Sequence, residues 1–213
     1  MGHRFLELAA SDAARAAQAV RGSRAAYARM ESGAPFHDRL GPKEADFIVA
    51  RDSFYLASVN PAGWPYIQHR GGPTGFLRVL DDRRLGFADL AGNQQYLTLG
   101  NVATEDRIAL FLMDYPNRRR LKLLGRMRPV DLADDAALAA LLVDPDHPAP
   151  VERGFVITVE AFDWNCPQHI TRRFTEAQLD DILAPVRARI DQLTRDNAAL
   201  LARIAELEQD NRP

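Results

Sequence analysis

Apolar and polar positions alternate through the middle of the chain, which predicts β-strands rather than helices there. The predicted strands are rich in branched and aromatic residues and are separated by turn-forming residues. They span residues 53–59, 65–70, 76–80, 84–88, 107–114, 119–130 and 155–162. Because most neighbours are joined by short turns, the pattern predicts a mainly β (α+β) domain with an antiparallel barrel.

Helical segments flank these strands. Residues 11–31 are rich in alanine and arginine, and Gly22 is expected to divide them into two helices. A proline near the first turn marks a short helix over 42–50. Two further helices are predicted over 94–102 and 134–143.

The C-terminal segment has a different period, because apolar residues recur there at alternating gaps of four and three. This heptad pattern, with branched residues and one asparagine at position a and mostly leucine at d, is typical of a parallel two-stranded coiled coil. The a positions are Ile190, Asn197 and Ile204, and the d positions are Val186, Leu193, Leu200 and Leu207. The alternative is an amphipathic helix lying on its own domain. A DNA-binding zipper is disfavoured, because the preceding segment is acidic and contains Pro185.

Three regions follow from these patterns: an N-terminal helical segment over 1–35, a barrel domain over 36–172 and a C-terminal helix over 173–213. The chain has 213 residues, of which 46% are apolar, and its net charge is −2. This balance argues against general binding to nucleic acid or to membrane surfaces, and no apolar run is long enough to span a membrane. A single cysteine, Cys166, fits a reducing compartment, so a cytoplasmic location is expected.

The second predicted strand carries candidate binding residues. On a strand, Gln68 and Arg70 share one face while His69 points the other way. A glutamine amide can bind the edge of a heteroaromatic ring, and an arginine can bind a phosphate. The alternative is a strand at the barrel rim whose polar groups are only solvated.

Two other segments could bind an anion. Gly92 precedes a turn and a helix start, where backbone N–H groups are available, although an ordinary helix-capping turn would look the same. Arg118, Arg119 and Arg120 are consecutive, and the first and last share a strand face. A bound phosphate would relieve their repulsion, whereas the alternative is a solvated run of charge.

A loop after the last predicted strand contains Trp164, which can stack on a flat ring. Cys166 has no evident base, so nucleophilic catalysis is not expected. The histidines and the cysteine have no metal-ligand spacing, which predicts no metal site. Together, the four segments suit a phosphorylated, flat heteroaromatic cofactor.

Five strings of sequence carry a family resemblance: RDSFYLASVN, GWPYIQHRGGPTGFLRVLD, GFADLAGNQQY, ALFLMDYPNRRRLKLLGR and DWNCPQHI. Over residues 36–170 the chain resembles the pyridoxamine 5'-phosphate oxidase-like family of flavin-nucleotide-binding proteins. The resemblance implies a split antiparallel β-barrel, a homodimer, and FMN at the dimer interface with contacts from both subunits. The C-terminal end typical of true pyridoxamine phosphate oxidases is replaced by the predicted coiled coil, so vitamin B6 oxidation is not expected.

The resemblance also implies positions for cofactor-binding residues. Strand residues Tyr66, Ile67, Gln68, His69 and Arg70 would line the flavin ring and ribityl chain, and Phe87, Ala88, Asn93, Gln94 and Gln95 match the phosphate-binding segment. Arg119 and Arg120, beside Arg118, would reach the flavin of the partner subunit, while Trp164, Gln168 and His169 would approach the ring.

The expected function is that of an FMN-dependent oxidoreductase acting on a small molecule, with catalytic residues unassigned. In such a protein the flavin performs the electron transfer and the protein orients it. Two alternatives remain open. One is a non-catalytic flavin carrier, sensor or scaffold, and the other is a haem-binding member of the same fold.

Overall fold

The computed structural model describes residues 2–34, 36–164 and 166–210, without the side chains of Glu208 and Asp210. The chain divides into two compact units, Met1–Ile170 and Thr171–Pro213. The first unit contains all seven named strands, which form one antiparallel sheet in the order β2-β1-β5-β6-β7-β4-β3. The strands are β1 (Ser53–Val59), β2 (Pro65–Gly71), β3 (Arg78–Val79), β4 (Arg84–Leu90), β5 (Arg107–Asp114), β6 (Arg119–Val130) and β7 (Val151–Trp164).

Strict alternation of side chains builds the core on β1 and β5, whereas β4 and β7 contain runs of consecutive buried residues. In β5 every second residue is buried, so Ile108, Leu110 and Leu112 point inward. On β1, Phe54 and Leu56 do the same. The buried faces of these strands form one continuous hydrophobic cluster, as the alternation in the sequence predicts.

The sheet curls strongly but does not close. Phe54 on β1 and Phe87 on β4 are not on neighbouring strands, yet their ring centroids lie 5.3 Å apart inside the curl. The short β3 pairs only with Leu85 and Gly86, so beyond those residues β4 is itself an edge strand. Facing edges without shared backbone hydrogen bonds define a split barrel, and the predicted fold class is confirmed.

A bulge in the long β6–β7 pair helps this curvature. The register shifts between Leu124 and Gly125, where the two backbones approach closely. A Cβ atom on Gly125 would lie 2.5 Å from the carbonyl oxygen of Thr158. Glycine is therefore required for the strands to pack at this distance.

Seven helices lie in the described part of the chain. They are α1 (Arg4–Ala9), α2 (Asp12–Val20), α3 (Arg24–Glu31), α4 (Pro42–Val49), α5 (Leu97–Val102), α6 (Ala136–Leu142) and α7 (Glu176–Asp210). Helices α2 and α3 are separated at Gly22, whose φ of 78° is unfavourable for other residues. Helix α1, which the sequence pattern did not predict, packs against β7.

Two predicted elements are shorter than expected. The strand predicted over 76–80 is reduced to the two residues of β3. The helix predicted from residue 94 begins only at Leu97, because Gln94 and Tyr96 have φ values of 57° and 52°. Left-handed backbone at these residues is incompatible with an α-helix and forms a turn instead.

The second unit consists mainly of α7, a helix of 35 residues that contains Pro185. Its apolar side chains are exposed within the single chain; Ile190, Leu200 and Ile204 are 57%, 64% and 51% exposed. No helix of the described residues is long and apolar enough to cross a membrane.

Candidate cofactor-binding site

Strand β2 presents two different faces. Tyr66, Gln68 and Arg70 are half-buried, whereas Ile67 and His69 are exposed. The predicted common face of Gln68 and Arg70 is thus present. This face turns toward β4 across the open edge of the barrel, where a cavity lies between the two strands.

The cavity has a volume of about 230 Å³. Its walls contain five of the predicted site residues from β2 and β4, together with one from the turn that follows β4. They are Gln68, His69, Arg70, Phe87, Ala88 and Asn93. An adjoining pocket adds Gln94, Thr98 and Glu152.

Arg70 and Asp89 form the charged centre of this site. The Arg70 Nη1 atom donates to the Asp89 Oδ1 atom at 2.5 Å, and Arg153 approaches the other carboxylate oxygen at 3.6 Å. The buried Nε of Arg70 has no hydrogen-bond partner among the described residues. The carboxylate is therefore neutralised from two sides, and the Nε–H of Arg70 is left without an acceptor in the described part of the chain.

A series of hydrogen-bonded polar side chains supports Gln68 in the wall of the cavity. The Thr98 hydroxyl donates to the Gln68 side-chain oxygen at 2.8 Å, which leaves the amide NH₂ of Gln68 as a donor. One turn further along α5, the Asn101 amide donates to the Ser58 hydroxyl at 2.9 Å. Thr98 and Ser58 are buried, so these bonds fix the position of Gln68 relative to the helix.

The turn between β4 and α5 is held in an unusual conformation. Asn93 accepts a hydrogen bond from the backbone N–H of Gln95, and both Gln94 and Tyr96 are left-handed. The Tyr96 hydroxyl donates to Glu152 at 3.1 Å, and this bond raises the pKa of Tyr96. Left-handed residues other than glycine are uncommon and cluster at binding sites.

Arg119, the middle residue of the arginine run, forms a second cluster with Trp164 and Phe47. The Arg119 guanidinium lies 5.1 Å from the Phe47 ring centroid and 4.9 Å from that of Trp164. The Trp164 ring N–H donates to Glu44 at 2.8 Å. Arg120 instead stacks over Phe111, at 5.2 Å.

The remaining predicted residues lie at the surface. Gln95 and Gln168 are exposed, Arg118 has a φ of 53°, and His169 is exposed with a φ of 64°. Within one chain, therefore, the residues of β2, β4 and the following turn meet at one cavity. The arginine run and the loop after β7 contribute to other surfaces of the same unit.

The residues of the cavity can be tested against a flavin nucleotide. Gln68 and Asn93 offer neutral polar groups suited to a ring edge or a ribityl hydroxyl, and Arg70 offers an unused N–H. The two carboxylates nearby, Asp89 and Glu152, are each paired with Arg153, and Asp89 also with Arg70. The donor set therefore fits such a ligand, and a phosphate dianion would require further positive charge from outside the cavity.

Sequence reasoning missed three residues of the site: Asp89, Thr98 and Glu152. Asp89 interrupts the apolar run of β4, and a buried carboxylate in such a strand signals a paired charge. Thr98 and Glu152 have no comparable signal, because their roles depend on which residues the fold brings opposite Gln68 and Tyr96.

The sequence profile described as pyridoxamine 5'-phosphate oxidase matches residues 40–162, which is more than half of the chain. The protein therefore belongs to the pyridoxamine 5'-phosphate oxidase family, as its sequence motifs indicated. A search of curated proteins returned no match.

Several solved structures are similar to this chain. A putative pyridoxamine 5'-phosphate oxidase from Lactobacillus delbrueckii has 20% identity and a TM-score of 0.45, covering 59% of this chain and 93% of its own. An FMN-binding protein from Syntrophomonas wolfei has 9% identity and a TM-score of 0.43, covering 70% and 97%. A FAD-binding protein from Mesorhizobium loti has 16% identity and a TM-score of 0.39, covering 59% and 94%.

Proposed function

We propose that this protein is an FMN-dependent oxidoreductase that acts on a small molecule from the cavity between β2 and β4. The observation that carries the proposal is the convergence of Gln68, Arg70 and Asn93 on one cavity, in a chain that belongs to the pyridoxamine 5'-phosphate oxidase family. The bound flavin would supply the redox chemistry, and the protein would supply binding and orientation.

Gln68 and Arg70 have distinct roles in this proposal. Thr98 holds the oxygen of the Gln68 amide, so the NH₂ group points its hydrogens toward an acceptor on the cofactor. Arg70 is fixed by Asp89 and offers its Nε–H to an oxygen of the ribityl-phosphate chain. Both donors are pre-oriented before the cofactor arrives, which lowers the entropy cost of binding.

A homodimer would complete the site. Tyr55 and Ile67, on the outer face of β1 and β2, are 37% and 65% exposed, and an apolar pocket on this face extends to Phe111. Contiguous exposed apolar surface of this kind is typical of an interface between proteins.

In the dimer, Arg119 and Arg120 of one subunit would provide the positive charge that a phosphate in the partner's cavity needs. The exposed heptad face of α7 would pair with its counterpart as a parallel coiled coil.

Titration of FMN, followed by quenching of its fluorescence, tests the proposal. Arg70→Met should weaken FMN binding by about 10-fold or more, because a hydrogen bond to a charged group contributes about 1.5–3 kcal/mol. Gln68→Met should also weaken it, while leaving the Arg70–Asp89 ion pair intact. Arg84→Met is the matched control. Arg84 begins β4, the strand that contains Asp89, and pairs with Asp81 at an exposed turn away from the cavity lining.

Equal FMN affinity in the wild-type protein and the three variants would refute this location of the site. Absence of FMN binding to the wild-type protein would refute the flavin proposal. Anaerobic addition of NADH or NADPH then separates the oxidoreductase from a carrier or sensor, because only the former allows a donor to bleach the flavin. A haem-binding protein would instead develop a Soret band with added haem.

A further inference from the structure

Three side chains from distant parts of the sequence converge on one side of the barrel. His3 precedes α1, His37 follows α3, and Asp163 lies near the end of β7. Their ligand atoms all lie within 4.8 Å of one another. The Nε2 atom of His3 is 3.1 Å from Nδ1 of His37 and 3.4 Å from Oδ1 of Asp163.

We propose that His3, His37 and Asp163 bind a divalent transition-metal ion, with Zn²⁺ the ion that this ligand set favours. Two imidazole nitrogens and one carboxylate oxygen are ordinary zinc ligands. Two ligands bound to a tetrahedral zinc at about 2.05 Å each are separated by about 3.3 Å. The observed separations of 3.1 and 3.4 Å match that spacing, so only the third separation, between His37 and Asp163, has to shorten from a value within 4.8 Å.

Hydrogen bonding alone does not satisfy this arrangement. The Nε2 atom of His3 carries either a hydrogen, which it can donate to His37 or to Asp163, or a lone pair, which can accept only from Nδ1 of His37. In either tautomer one of the two contacts therefore lacks a hydrogen bond, whereas all three atoms have a lone pair when none of them carries a proton. A cation at that position accepts all three lone pairs at once.

The surrounding structure holds the two rings in place. His3 is 2% exposed, and its backbone N–H donates to the Met30 carbonyl at 2.8 Å. The His37 ring stacks on Phe162 at 4.8 Å and meets the His3 ring edge-on at 4.4 Å. The His37 carbonyl accepts from the Phe162 backbone N–H at 2.9 Å. Little side-chain entropy thus remains to be lost when a metal ion binds.

The backbone conformation of His37 is also unusual for a residue with a side chain. Its φ of 61° lies in the left-handed region, which costs on the order of 1 kcal/mol for a residue with a side chain. This conformation, which occurs in a loop crossing the end of β7, directs the ring toward His3. Strain at such a residue persists only where the surrounding contacts impose it.

Asp163 is oriented by a separate ion pair. Its second oxygen, Oδ2, lies 2.8 Å from the ammonium of Lys122, the residue opposite it on β6. This leaves Oδ1 directed at the histidines. A carboxylate that binds a metal is usually held by a further hydrogen bond of this kind, which Lys122 supplies here. Because His37 and Asp163 are only half-buried, a water molecule can occupy the fourth coordination position.

Isothermal titration with Zn²⁺ tests the site, using the full chain without a polyhistidine tag and after treatment with a chelator. We expect one Zn²⁺ per chain in the wild-type protein. His37→Asn and Asp163→Asn should each weaken binding by more than about 100-fold, since loss of an outer-shell partner alone costs about 10- to 100-fold. Asparagine at residue 37 also tolerates the left-handed backbone, so this variant should fold.

His147→Ala is the control, because His147 lies in the loop before β7 and caps the backbone N–H of Ala149. Circular dichroism of each variant establishes that it is folded. Substitution of Co²⁺ for Zn²⁺ gives a second readout, since only a site of low coordination number produces intense visible absorption. The proposal is overturned if the wild-type protein binds Zn²⁺ no more tightly than folded His37→Asn, or if His147→Ala lowers affinity equally.

Discussion

The guanidinium of Arg70 and the carboxylate of Asp89 are joined at 2.5 Å across the open edge of the barrel. Arg70 lies on β2, at one end of the strand order, and Asp89 lies where β4 has lost its β3 neighbour. No backbone ladder connects these strands among the described residues. The ion pair therefore holds together the two edges between which the candidate cofactor cavity lies.

The first prediction concerns the stability that this pair provides. Arg70→Met should lower the free energy of unfolding by about 3 kcal/mol. This value is at the low end of the cost of breaking a buried ion pair, because Arg153 remains 3.6 Å from Asp89. Arg84→Met removes an exposed pair and should cost at most about 1 kcal/mol. Urea denaturation measures both. Similar losses in the two variants would show that the pair does not join the barrel edges.

The second prediction compares two glycine substitutions. Gly125→Ala should destabilise the barrel by about 1–3 kcal/mol, because the new methyl group would meet the Thr158 carbonyl at 2.5 Å in the β-bulge. Gly100→Ala should instead stabilise it by about 0.5–1 kcal/mol, since Gly100 lies in α5 with open space around it. Thermal unfolding of both variants measures the difference. Equal melting temperatures would contradict the close approach of β6 and β7 at Gly125.

The third prediction concerns pH. Burial, and next the charge of His3, lower the pKa of His37, so the folded chain favours its neutral ring. Asp163 and Glu44 act in the opposite direction, and Lys43 assists the lowering. As the pH falls, His37 takes up a proton near pH 6.5 in the unfolded chain, and in the folded chain it does so only at a lower pH. Stability from the neutral ring is therefore complete above about pH 6.5 and is lost as the pH falls through the lower, folded value.

Denaturation of the metal-free protein on either side of the ordinary imidazole pKa measures this effect. In the wild-type protein the free energy of unfolding should decrease between about pH 7.5 and about pH 5. His37→Asn should show a smaller decrease over the same range, because its side chain does not titrate. An identical pH dependence in both proteins would exclude His37 as its source.

The fourth prediction tests the proposed coiled coil. Leu200→Asp places a charge at a d position of α7, where a parallel coiled coil would bury it, and should weaken the association of the helices. Ala202→Asp, two residues away at an outward-facing f position, is the matched control. Analytical ultracentrifugation of the isolated segment 173–213 and of the full chain should show a shift toward monomer only for Leu200→Asp. If neither substitution changes association, α7 does not pair through this face.

The alternation of apolar residues was sufficient to predict the barrel strands, and Phe54, Leu110 and Leu112 are buried as that pattern requires. Helix α1 was not predicted, because its packing on β7 depends on tertiary contacts that a six-residue segment does not encode. Val59 is 37% exposed despite its apolar character, since the two-residue alternation places it on the outer face of β1 with Tyr55.

The candidate site was predictable only in part. The polar face of β2 follows from the two-residue period of a strand, so Gln68 and Arg70 could be placed together. Their partners, Thr98 and Asp89, depend on how the sheet curls and could not be read from local pattern. The convergence of His3 with His37 has the same origin, because 34 residues separate them in the sequence.

An absorption spectrum of the purified protein, followed by mass spectrometry of the small molecule released on denaturation, tests whether the cavity between β2 and β4 binds FMN. We expect a yellow protein with a flavin spectrum, from which FMN is released. Arg70→Met, purified in parallel, should retain less of the cofactor than Arg84→Met does. A colourless protein that neither releases a flavin nor takes up added FMN would rule out the proposed function.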